Sequence, residues 1–155
     1  MIMSTNWATD ISEMHNQYGV HDWFDANKHN KELMQKYLMF RLLMCQEELH
    51  ETMQAVNSGN AEEVVDGLID LCVFAIGTLD VFKVNPHLAW DEVHAANMKK
   101  EVGVKPGRPN PFGLPDLLKP GGWQPPNHAA CFNHGELAAA LGTPPDRTPI
   151  DPSSW

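Results

Sequence analysis

Basic residues are scarce in this chain: eleven lysines and arginines stand against twenty aspartates and glutamates, a formal charge of -9 with histidine neutral. That balance argues against a nucleic-acid polymer as the main partner, because phosphate backbones are held chiefly by Lys and Arg. A free nucleotide stays open, since a metal ion can supply positive charge locally. Cysteine is sparse as well. Cys45, Cys72 and Cys131 are odd in number and far apart, form no CxxC pair, and read as reduced, buried thiols. His128, Cys131 and His134 have a spacing that could bind zinc, but they offer only three ligands in a loose tail. Long apolar runs are missing: no window approaches the roughly 18 residues of a membrane span, and no basic segment followed by an apolar stretch opens the chain. The expectation is therefore no membrane and a cytoplasmic location.

The 155 residues, 43% hydrophobic and 20% charged, fit one helical domain with a tail. Ile11, Met14 and Tyr18 fall at helical spacing from about Trp7 to Tyr18, ending at Gly19, and His21 to Asn30 reads as a polar connection. From Lys31 to about Val56 there is no glycine or proline, and Leu33, Tyr37, Phe40, Met44, Leu49 and Met53 form one broad apolar stripe. The cluster Asn57-Ser58-Gly59-Asn60 breaks that helix, and Asn60 caps the next. The helix from Ala61 to about Phe82 is apolar around most of its circumference, as expected of a core element or a subunit interface. A further helix is predicted from Pro86 to about Val102. Most of the twelve prolines lie beyond residue 105, where the sequence cannot continue a helix. The division is thus a helical domain over 1–104 and a Pro/Gly-rich arm and tail over 105–155.

Acidic residues concentrate on the two central helices. Glu48 and Glu51 are three apart and share a face, with Glu47 adjacent; alone, such a face is as well explained by solvent. On the next helix Asp66 and Asp70 are four apart, Glu63 extends their stripe, and Asp70 is flanked by aliphatic residues. A carboxylate there costs several kcal/mol unless a cation or firm hydrogen bonds compensate it. Arg41 is the only lysine or arginine between Met39 and Phe82. A hard divalent ion is the natural alternative, and magnesium or manganese fits best. Hydrogen bonding of Asp66 and Asp70 to neighbouring helices is the competing reading. A hairpin with a four-residue turn brings Glu48 and Glu51 opposite Asp66 and Asp70.

The stretches EELHE, EEVVDGLIDL and ANMKK together resemble the MazG-like members of the all-α nucleoside triphosphate pyrophosphohydrolases, whose pattern is ExxE, a spacer, then ExxD, over roughly residues 11 to 123. MHNQYG, DGLIDLCVFAIGTL and GRPNPFGLPDLLKPGGW look most like the small bacteriophage-encoded members, which would place the chain in a host cytoplasm. The sequence departs from the pattern at Gly67, where many relatives carry a glutamate; Asp66 would have to substitute. The resemblance implies an all-α, oligomeric bundle and a magnesium- or manganese-dependent hydrolase of acid anhydrides. It implies attack of water between the α and β phosphates of a nucleoside triphosphate, giving the monophosphate and pyrophosphate. Glu48, Glu51, Asp66 and Asp70 would hold the metal. Glu48 also belongs to the catalytic set, together with Glu47 as base or outer group. Asn97 and Lys100 match an NxxK motif that reaches the phosphates, and Arg108 could clamp phosphate; a solvated helix end explains the lysine equally. His15, Asn16, Trp23 and Phe24 lie in the segment that packs near the nucleobase in relatives, or simply pack on the bundle. One phage type, MazZ, consumes guanine nucleotides, which makes dGTP or GTP the expected substrate. The alternatives are a phosphoribosyl-ATP pyrophosphohydrolase, which shares the carboxylate scaffold, and a non-catalytic helical adaptor. The apolar second helix predicts pairing of bundles into a dimer or tetramer.

Overall fold

The computed structural model describes residues 3–107, 111–113, 115–131 and 135–141. Six α-helices are present among them: α1 (Trp7–Gln17), α2 (Val20–Asn27), α3 (Lys31–Ser58), α4 (Ala61–Val81), α5 (Pro86–Met98) and α6 (Glu136–Leu141). Two three-residue strands, β1 (Glu101–Gly103) and β2 (Asp116–Leu118), complete the regular structure with a 3₁₀ turn at Ala129–Cys131. This is the expected all-α class. No helix among the described residues is long and apolar enough to cross a membrane. The chain forms two compact units, residues 1–86 with 132–155 and residues 87–131.

In the first unit α3 and α4 form the central hairpin. Asn30 and Asn60 cap their starts by accepting from the backbone N–H of Leu33 and Glu63. Gly59, at φ 72°, ends α3, and Asn60 N–H reaches back five residues to the Ala55 carbonyl, which is how the four-residue breaker makes a tight stop. The two helices approach closely because Gly67, Thr52 and Ala55 are buried and small. Ile11, Phe24, Met34, Val81 and Phe82 form the core beside them, with Phe24 edge-on to Phe82 at 5.4 Å. Trp23 lies 4.7 Å from the Tyr37 ring. Residues 20–27, read from sequence as a connection, are helical: Gly19 takes φ 73° and turns the chain, and burying Phe24 supplies what a short polar helix lacks alone. A tail helix was not foreseen either. It packs on α3, where Gln35 Nε2 donates to the Ala140 carbonyl at 2.8 Å.

In the second unit α5 stops at Met98, short of Val102, which instead belongs to β1. Glu101, Val102 and Gly103 pair antiparallel with Leu118, Leu117 and Asp116. Part of the expected extended arm is therefore a β-ribbon. Lys105 N–H donates to Asp116 Oδ2 at 3.2 Å. Trp123 Nε1 donates to the Ala96 carbonyl at 2.8 Å, and Asn127 N–H to Glu92 at 2.9 Å. The three cysteines are free; Cys131 is buried, whereas Cys45 and Cys72 are only half-buried.

Candidate active site

The α3–α4 hairpin holds an open cleft of about 450 Å³ lined by Glu48, Glu51, Gln54, Ala55, Ser58, Glu63, Asp66, Gly67 and Asp70. The helical period explains the gathering: Glu48 and Glu51 are one turn apart on α3, as are Glu63, Asp66 and Asp70 on α4, and the turn at Gly59 sets the two rows face to face. All four acids expected to bind metal thus line one cleft. Glu63 joins them; its place on the Asp66 stripe was the available signal. Gln54 and Ser58 were not singled out, since nothing local marks them. Glu47 does not line the cleft, although its charge acts on Glu48.

Gly67 sits at the centre of the crossing. A Cβ there would come 2.2 Å from Thr52 Oγ1, whose hydroxyl donates to the Glu48 carbonyl at 2.7 Å. A glutamate cannot occupy position 67 without moving Thr52, and the departure from ExxD therefore has a steric basis in this chain. Asp66 and Asp70 flank the glycine on the cleft lining, so carboxylates remain there without the missing glutamate.

Electrostatically the cleft is one-signed. Among the described residues no basic residue lines it. Partial burial pushes the Glu48 carboxyl above its ordinary range, and the negative charges of Asp70, Glu51, Glu47 and Asp66 push it further the same way. Such mutual repulsion is relieved by a cation, and an all-oxygen set of this density suits a hard divalent ion. Arg41, the one nearby basic residue of the sequence, is buried elsewhere: it donates to Thr78 Oγ1 at 3.2 Å and to the Phe74 carbonyl at 3.3 Å, and its guanidinium lies over the Phe74 ring.

Of the other expected site residues in the first unit, His15, Asn16 and Trp23, none is among the residues lining the cleft. His15 is 3% exposed and its Nδ1 is 2.7 Å from Asp80 Oδ2; His21 Nε2 approaches the same oxygen at 2.7 Å. Asn16 is exposed, and Trp23 is 38% exposed. In the second unit Lys100 follows the end of α5 and its ammonium donates to Asn97 Oδ1 at 2.8 Å, so the NxxK pair is a local contact. Lys100 and Lys119 lie 5.6 and 4.7 Å from the Trp123 ring centroid. Arg108 and His134 fall outside the described residues.

A family model described as phosphoribosyl-ATP pyrophosphohydrolase matches residues 18–97, just over half the chain, a span that contains both acidic helices. No curated protein and no solved structure matches the chain.

Proposed function

The chain belongs to the phosphoribosyl-ATP pyrophosphohydrolase family, which sits within the MazG-like pyrophosphohydrolases, and from that premise we propose that it cleaves the α–β anhydride of a nucleoside triphosphate in the α3–α4 cleft. The coarse activity, pyrophosphohydrolysis of a nucleotide phosphate, follows from the family. The observation that carries the finer reading is the lining of Glu48, Glu51, Glu63, Asp66 and Asp70, with no basic residue beside them among the described residues. A triphosphate cannot enter such a cleft unescorted, and the donor set fits Mg²⁺ or Mn²⁺. When bound, the ion neutralises the phosphates, polarises the α-phosphorus and eases deprotonation of water.

The chain's own residues supply the rest. Glu48, Glu51, Asp66 and Asp70 hold the metal. Glu48, whose proton affinity is raised by its neighbours, and Glu47 beside it are the groups proposed to accept the proton of the attacking water. The phosphate role proposed for Asn97, Lys100 and Arg108 rests on the NxxK and arm resemblance. His15 is buried against Asp80, so direct contact with a base falls to Asn16 and Trp23. A guanine nucleotide, dGTP or GTP, is the proposed substrate, on the likeness to the phage type. The test is a panel of nucleotides with Mg²⁺ or Mn²⁺ and product identification, repeated on Asp70→Asn. The reading predicts monophosphate and pyrophosphate, lost in the variant; orthophosphate release or no turnover sinks it.

A second reading is favoured by the family match itself: phosphoribosyl-ATP as substrate. Turnover of that compound, with free triphosphates left intact, would establish it instead. We also propose a homo-oligomer, dimer or tetramer, because Met53 and Val56 on α3 and Val65, Leu68 and Ile69 on α4 are 44–63% exposed. Light scattering that gives a stable monomer at micromolar concentration would count against it.

A further inference from the structure

Outside the acidic cleft, α1, α2 and α4 each send one polar side chain to a single point. His15, His21 and Asp80 each place a ligand atom within 4.8 Å of the other two. Asp80 lies ten residues beyond Asp70, about 15 Å along α4 at the standard helical rise, so this point is not part of the cleft. The groups are sheltered: His15 is 3% exposed, and the side chains of Asp80 and His21 are 16% and 24% exposed. Among the described residues no lysine or arginine forms an ion pair with Asp80.

We infer that His15, His21 and Asp80 form a second metal site, one for a borderline transition ion of the zinc class and distinct from the hard-ion cleft. Two imidazoles and one carboxylate are a donor mixture that Zn²⁺ accepts and that Co²⁺ or Ni²⁺ can report on, whereas Mg²⁺ prefers oxygen donors and retained water. Three protein donors leave one position for water. In the metal-free arrangement the imidazole nitrogens facing Asp80 are donors, His15 through Nδ1 and His21 through Nε2. Ligation shifts each ring proton to the opposite nitrogen, so neutral histidines bind the ion with no net release of protons.

The surroundings fit this use. The Asp80 carboxylate is already held in place by the two imidazoles, each 2.7 Å from its Oδ2, so the donors converge without rearrangement of the helices. The far edge of His15 lies against Gly77, where a Cβ would fall 3.0 Å from Cε1, 3.2 Å from Nε2 and 2.5 Å from Arg41 Nη2; the absent side chain gives both groups their room. The Arg41 charge works against affinity, but its donors are engaged by Thr78 and Phe74. His21, the most exposed of the three, gives an entry path, and a bound ion would tie both N-terminal helices to α4.

The test titrates the chelator-stripped full chain with Co²⁺ and reads the visible d–d absorption. One equivalent with nitrogen-ligand bands is expected, displaced by Zn²⁺ but not by excess Mg²⁺. His21→Ala and Asp80→Asn should lose the bands, and Glu48→Gln should keep them. His21→Gln, with circular dichroism on every variant, covers the case in which a variant unfolds. Absence of the bands in the folded wild type, or their persistence in folded His21→Ala or His21→Gln, overturns the assignment, as does their loss in Glu48→Gln.

Discussion

Gly67→Ala is the smallest change that interrogates the cleft. The new methyl would stand 2.2 Å from Thr52 Oγ1, 3.3 Å from Thr52 Cβ and 3.6 Å from the Glu48 carbonyl oxygen. If Thr52 turns away, it gives up its 2.7 Å bond to that carbonyl, a loss of about 1 kcal/mol. If it stays, α3 and α4 must separate, and overpacking of this kind costs about 1–3 kcal/mol. Alanine regains about 1 kcal/mol in helix propensity over glycine. The balance runs from about zero to a loss of about 2 kcal/mol, measured by urea denaturation, or up to roughly 8 °C in Tm for a chain of this size. Thr52→Ala removes the colliding oxygen, so the double variant should be more stable than the sum of the singles by about 1 kcal/mol. Because the crossing carries the cleft, Gly67→Ala should also lower metal-dependent turnover. Strict additivity with Thr52→Ala would refute the close-approach argument.

Asp80 gives a pH dependence with a defined sign. Its folded carboxyl titrates at about 2, below the ordinary 3.8, so its contribution is complete above about pH 4 and disappears as pH falls toward 2. Thermal melts of chelator-treated protein between about pH 5 and about pH 2 should fall less steeply in Asp80→Asn than in wild type. Asn60→Ala removes the side-chain acceptor of the Glu63 N–H and should cost about 1 kcal/mol in chemical denaturation, with Asn60→Gly costing less. Trp123→Phe leaves the Ala96 carbonyl without its indole donor and should cost about 1 kcal/mol, seen as faster amide exchange at the end of α5.

The hairpin was legible because its signals are local. The Asn-Ser-Gly-Asn cluster contains a C-terminal glycine and the next N-cap, and acids at helical spacing on either side must meet once the turn is placed. The departure at Gly67 could be seen in sequence, but its cause could not, because Thr52 lies fifteen positions earlier and meets it only through the crossing. α2 escaped notice because eight residues, half of them polar, carry little periodic signal, although Val20 and Phe24 are one turn apart; Phe82, at the end of α4, completes the burial. The pairing of His15 with Asp80 joins residues sixty-five apart, beyond any local pattern. Strands of three residues, such as those that shorten α5 and structure the arm, offer too few positions for a period to show.

The helix α4 shows why residue type alone could not assign these roles. Asp66, Asp70 and Asp80 are the same residue on one helix, and at each the surroundings decide what the charge requires. Asp66 and Asp70 face Glu48 and Glu51 across a cleft that no basic group among the described residues lines, and the carboxyl of Glu48 responds by holding its proton more tightly. Asp80 meets two imidazoles, and its proton is lost more readily. An oxygen-only set under mutual repulsion selects a hard, strongly hydrated ion, whereas a carboxylate between nitrogens selects a softer one. The helix thus separates two donor chemistries by about 15 Å. An ion suited to one end is a poor competitor at the other, so the zinc-class ion proposed at Asp80 and the Mg²⁺ or Mn²⁺ proposed at Asp70 can coexist in the same chain.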